Sequence, residues 1–109
     1  MSGWIGVDLD CTLAHYDGWR GIEHIGAPIQ PMLARVKDWL SKGIEVRIFT
    51  ARANNPDKIP VIESWCLKHI GQVLAVTCVK DYGCIEIWDD RAVRVLANQG
   101  IPCCSNHEN

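Results

Sequence analysis

Two aspartates separated by a single leucine, Asp8 and Asp10, end the apolar stretch WIGVDLDCTLA that starts at Trp4. A second acidic pair, Asp89 and Asp90, ends another apolar run, CIEIWDD at 84–90. Between them come Thr50 and Arg52, at the end of IEVRIFTAR, and Lys80, directly after QVLAVTCV. Carboxylates gathered at one place repel and raise each other's pKa unless a cation lies between them. Oxygen donors without histidine or thiolate suit a hard cation such as Mg²⁺. A hydroxyl and a lysine suit the opposite partner, an anionic oxygen such as that of phosphate. Together these groups describe a phosphoryl-transfer centre, in which metal and lysine offset charge on the transferring oxygens.

Such a centre needs elements that deliver its residues to one place. The run WIGVDL over 4–9 reads as a buried strand. Residues 13–28 are rich in turn formers and read as a short flap or irregular hairpin, with Asp17-Gly18 as its turn. The segment 31–43 has Met32, Leu33, Val36 and Leu40 at helical spacing, opens on Pro31 and stops at Gly43. A second strand within 44–52 ends at Thr50. A second helix spans 54–71, capped by Asn55 or Asp57, with Pro60 tolerable only in its first turn. Strands over 72–79 and 84–90 and a third helix over 91–100 complete the domain, leaving a loosely ordered tail at 101–109. Strands alternating with helices predict a parallel sheet covered on both faces. The expected fold is therefore α/β: a three-layer α/β/α sandwich around a mainly parallel, Rossmann-like sheet. In that arrangement ligands bind beyond the carboxyl ends of the strands, where each of the four strands delivers a polar residue.

The same residues resemble a family. DLDCT at 8–12, a strand ending in Thr50, Lys80, and WDD ending at Asp90 are similar to the four motifs of the haloacid dehalogenase superfamily of phosphohydrolases. The resemblance covers residues 4–99, and aspartate at position 10 points to the phosphatase branch. It implies that Asp8 is the nucleophile, forming an aspartyl-phosphate. It implies that Asp10 is the general acid and then the base, with its backbone carbonyl on the metal. Thr12 would brace the loop. Thr50 would hydrogen-bond the phosphoryl group, Lys80 would neutralise Asp8 and phosphate, and Asp89 and Asp90 would hold Mg²⁺. Arg52 would contact the substrate or its phosphate. Larger members carry a cap domain; here only the flap is available, so the chain looks like a capless member. An open site leaves water exclusion to a partner subunit, as in a homo-oligomer, or to the substrate itself. The flap residues His15, Tyr16, Trp19, Arg20 and His24 would then lie over the site.

With 109 residues, one domain is expected. A formal net charge of −2 gives no overall pull toward nucleic acid or anionic membrane. No apolar run reaches membrane-spanning length and the first residues do not read as a secretion signal, so a cytoplasmic protein is expected. The six cysteines form no CxxC pair, which argues for reduced thiols rather than disulfides or structural zinc. Trp39, Trp65 and Trp88 read as packing residues, and Cys11 as a small filler. Two other classes compete with a phosphatase. A response-regulator-type phospho-acceptor uses similar groups, but with its acidic pair after the first strand and its acceptor after the third. A non-catalytic binding module would have no need of the full set.

Overall fold

The structure is a computed structural model, and it describes residues 3–21 and 23–103. Four parallel strands form one sheet in the order β3-β2-β1-β4. They are β1 (Trp4–Val7), β2 (Glu45–Phe49), β3 (Ala75–Thr77) and β4 (Cys84–Trp88). Helix α1 (Gln30–Ser41) connects β1 to β2, and α2 (Ile59–His69) connects β2 to β3. Two successive crossovers stepping the same way place both helices on one face of the sheet.

That face holds the core. Ile5 and Val7 of β1 and Val46 and Ile48 of β2 alternate inward, meeting Met32, Leu33 and Val36 of α1 and Ile62, Trp65 and Cys66 of α2. Pro31 lies in the first turn of α1, where its missing N–H has no helical partner to lose. Before α2 the chain makes two short 3₁₀ turns, Ala51–Asn54 and Pro56–Lys58. The Asn55 side chain accepts from the Asp57 N–H at 2.9 Å, so Asn55 provides the cap at this junction.

On the opposite face Trp4 is nearly inaccessible although it belongs to no helix interface. Its indole N–H donates to Asp81 at 2.9 Å, and the Arg47 guanidinium lies 4.5 Å from its ring. Gly6 makes this possible: a Cβ there would come within 3.0 Å of the Trp4 ring and 3.2 Å of Phe49.

The expected third helix over 91–100 does not form. Residues 94–103 instead make a small hairpin, with Val95 bridging Pro102 and the Leu96 N–H donating to the Ile101 carbonyl at 2.8 Å. The reason lies in the local sequence. Val93 and Val95 alternate with arginine and alanine in a period of two, and Asn98 and Gly100 both adopt left-handed φ, 63° and 70°. Gly100 belongs to a turn, not to a helix stop. Among the described residues there is accordingly no helix on the second face, where Ile85, Ile87, Val93 and Val95 remain exposed. Residues 104–109 of the expected tail lie outside the described residues. No helix among the described residues is long and apolar enough to cross a membrane. Cys11, Cys66, Cys78 and Cys84 are free thiols.

Candidate metal and phosphate site

The loop after β1 is anchored from below. Leu9 and Leu13 are fully buried, and the Leu9 carbonyl accepts from the N–H groups of Leu13 and Ala14 at 2.9 and 2.8 Å. Cys11 sits at the loop's tip with φ 72°, a conformation a non-glycine residue adopts at a cost. The Asp8 N–H donates to the Trp88 carbonyl at 2.9 Å, locking the end of β1 to the end of β4. The two acidic pairs thereby arrive side by side.

One oxygen from each of Asp8, Asp89 and Asp90 lies within 4.8 Å of the others. The Thr12 hydroxyl stands between two of them, 3.2 Å from both Asp8 Oδ2 and Asp90 Oδ1. Its oxygen also accepts from the Asp90 N–H at 3.1 Å. A hydroxyl has one hydrogen, so it cannot fully serve both carboxylates. Burial, then the Asp89 charge, then hydrogen bonding with Asp90 push the Asp8 carboxyl up to about 7, against the opposing bond from Thr12. A cation among the three carboxylates would remove that penalty, and an all-oxygen donor set fits a hard divalent ion such as Mg²⁺. Asp10 is not part of this cluster.

Asp10 has a different partner. Its two oxygens accept from Arg52 Nε and Nη2, both at 2.8 Å, in a fork-to-fork pair. Arg52 is buried, and its remaining Nη1 donates to the His24 carbonyl of the flap at 3.1 Å. The Trp19 ring lies 5.2 Å from the guanidinium and 5.0 Å from the Lys58 ammonium. Thr50, also buried, accepts from the Arg52 N–H at 3.2 Å. Accepting leaves the Thr50 hydroxyl hydrogen free to point elsewhere.

A cleft of about 650 Å³ opens over these groups, lined by Asp8, Asp10, Thr50, Arg52, Asp89 and Asp90. Six of the eight residues singled out by the sequence therefore share one cavity. Thr12 braces it from the side. Lys80 is not among its lining residues; it lines a neighbouring groove along β4, together with Asp89. Tyr16, Asn54 and Arg91 also line the cleft. Of these, Asn54 and Arg91 carry no candidate role in the sequence analysis; Arg91 falls at the start of the helix expected over 91–100 and Asn54 at the start of the one expected over 54–71. For Arg91, its place directly after Asp89-Asp90 was the available signal. Cys11 is exposed and also lines the cleft, so it is not the small packing filler expected from the sequence; its thiol is pushed up by local desolvation and then by Asp90, Asp10 and Asp8, which does not suit a nucleophile.

The flap is an irregular hairpin. His15 N–H donates to Ala27 and Ile29 N–H to Leu13, at 2.9 and 2.8 Å. Gly26 packs so closely on the His15 carbonyl that no Cβ would fit. Trp65 of α2 donates to the Gly26 carbonyl at 2.9 Å. Tyr16 reaches the cleft, whereas His15, Arg20 and His24 surround a smaller depression on the flap. Comparison with known proteins finds no family model, no curated protein and no solved structure that matches this chain.

Proposed function

We propose that the protein is a Mg²⁺-dependent phosphomonoester hydrolase of the haloacid dehalogenase type, without a cap domain, acting through an aspartyl-phosphate on Asp8. The observation that carries this reading is the convergence of Asp8, Asp89 and Asp90 within 4.8 Å at the carboxyl ends of two adjacent parallel strands. Asp8, Asp89 and Asp90 would hold the ion, which supplies positive charge for the phosphoryl oxygens. An Asp8 oxygen attacks phosphorus, and the bond from phosphorus to the leaving oxygen breaks. Asp10 gives that oxygen a proton. Asp10 then takes a proton from water as the water attacks phosphorus, the bond to Asp8 breaks, and inorganic phosphate leaves. During both transfers Asp10 exchanges one of its two Arg52 contacts for the reacting oxygen and keeps the other. The Thr50 hydroxyl donates to the phosphoryl group. Arg91, at the cleft wall, is placed to add positive charge.

A second reading is favoured by two observations. Lys80 lines another groove, and both Asp10 oxygens are engaged by Arg52. A chain that phosphorylates Asp8 but hydrolyses the product slowly would be a phospho-acceptor or regulatory module. Acid quenching during incubation with an aryl phosphate and Mg²⁺, followed by peptide mass spectrometry, tests both. A phosphoryl adduct on Asp8 that decays with turnover supports the hydrolase. A lasting adduct supports the phospho-acceptor, and no adduct on Asp8 at any quench time together with no Asp8-dependent phosphate release defeats both.

A further inference from the structure

The contacts of Arg52 belong to three different parts of the fold. It starts from the turn after β2, where Thr50 holds its N–H. Its fork takes both oxygens of Asp10, from the loop after β1. Its third nitrogen donates to the His24 carbonyl of the flap, and the guanidinium carbon lies over the ring of Trp19, also of the flap, 5.2 Å from its centre. The side chain is 7% exposed while the Asp10 side chain it holds is 24% exposed. Three of the five N–H donors of this buried guanidinium are committed to Asp10 and to the His24 carbonyl, so its plane is fixed by the protein itself before any ligand arrives.

We infer that Arg52 is a positioning residue, acting through Asp10, that couples the orientation of the Asp10 carboxylate to the position of the flap. The inference rests on the hydrolase reading for its kinetic consequences, but not for its structural ones. One rigid planar group serves Asp10 and the flap together, so a displacement of either disturbs the geometry available to the other. Such coupling is reciprocal. Removing the Asp10 carboxylate loosens the flap, just as removing the guanidinium does; Asp10 otherwise meets the flap through its backbone, in the bridge to Ala14, which a side-chain substitution leaves in place.

The test has two arms. The first needs no substrate or metal: hydrogen exchange at the His15 amide of the flap and the Ile29 amide that closes its base on Leu13 in wild type, Arg52→Gln, Asp10→Ala and the double variant. Each single variant is expected to speed exchange by about tenfold, the loss of a charge-assisted hydrogen bond. The double variant is expected to exchange no faster than the singles. Unchanged flap exchange in Asp10→Ala, or multiplying effects in the double variant, would overturn the coupling. Arg52→Lys replaces Arg52→Gln if the latter fails to fold, as judged by circular dichroism. Lysine keeps the charge but loses the fork, so it is expected to leave the flap loose; full restoration by lysine would count against the inference.

The second arm is kinetic. Arg52→Gln is expected to lower kcat about 100-fold, the effect of a misplaced catalytic group, with KM within about threefold. In an Asp10→Ala background the same substitution is expected to change kcat no further. A rise in KM that persists without Asp10 would mark Arg52 as a direct phosphate ligand and overturn the positioning role. If the wild type shows no turnover that depends on Asp8, the hydrolase reading fails by itself, and the exchange arm still decides the coupling.

Discussion

The Thr12 hydroxyl lies between Asp8 and Asp90 at 3.2 Å from each, and this bridge orders the acidic cluster before any ion arrives. Thr12→Val keeps the shape and removes the bridge. It is expected to weaken Mg²⁺ binding about tenfold by calorimetric titration, the scale of a lost supporting contact to a metal ligand. The titration of Asp8 gives a prediction with a defined sign. Its folded-state value is raised from 3.8 to about 7, so between those values the folded chain holds a proton that the unfolded chain has released. Stability in chelator therefore falls as pH rises through that window. Asp8→Asn is expected to flatten the fall, and Mg²⁺ to raise the melting temperature more at pH 8 than at pH 5. Melting curves across pH, with chelator and with Mg²⁺, check both. These carboxylates were legible in the sequence because each pair interrupts an apolar run, where a carboxylate has no packing role. The Asp10–Arg52 pair was not legible. The two residues are 42 positions apart, and nothing local to either names the other.

Strand and helix boundaries follow from packing. The period of β2 and the stripe of α1 each bury one side against the other, so both could be read from periodicity alone. β3 is shorter than the run 72–79 from which it was expected, because only Ala75–Thr77 finds partners on β2. The segment after β4 fits a helical pattern as well as a hairpin one, through its Gly100 and its valines. The choice between a helix stop and a hairpin turn was made by the pairing of Val95 with Pro102, a contact sequence periodicity does not report. At this scale the flap is the sensitive element. Gly26→Ala would force a methyl into the His15 carbonyl and is expected to raise the rate of limited proteolysis within 13–28 while leaving the sheet intact by circular dichroism. Ile62→Ala, by contrast, empties the fully buried centre of α2 and is expected to cost about 2–5 kcal/mol in chemical denaturation.

For the molecule as a whole, parallel order is what makes the site. Strands β1 and β4 run side by side in the same direction, so the acids that follow them emerge at the same edge, and β2 delivers Thr50 and Arg52 next to them. An antiparallel β4 would have sent Asp89 and Asp90 to the far end of the sheet. The helices cover one face and leave Ile85 and Ile87 exposed on the other, so the cleft is built entirely by strand ends, the flap and the turn before α2. The measurement closest to the central claim is phosphate release from an aryl phosphate and a panel of phosphorylated metabolites and oligonucleotides, with Mg²⁺, with chelator, and with Asp8→Asn. The account predicts turnover in Mg²⁺ that chelator abolishes and that Asp8→Asn lacks. Turnover that survives Asp8→Asn, or a folded, Mg²⁺-binding protein inactive on every substrate, would contradict it.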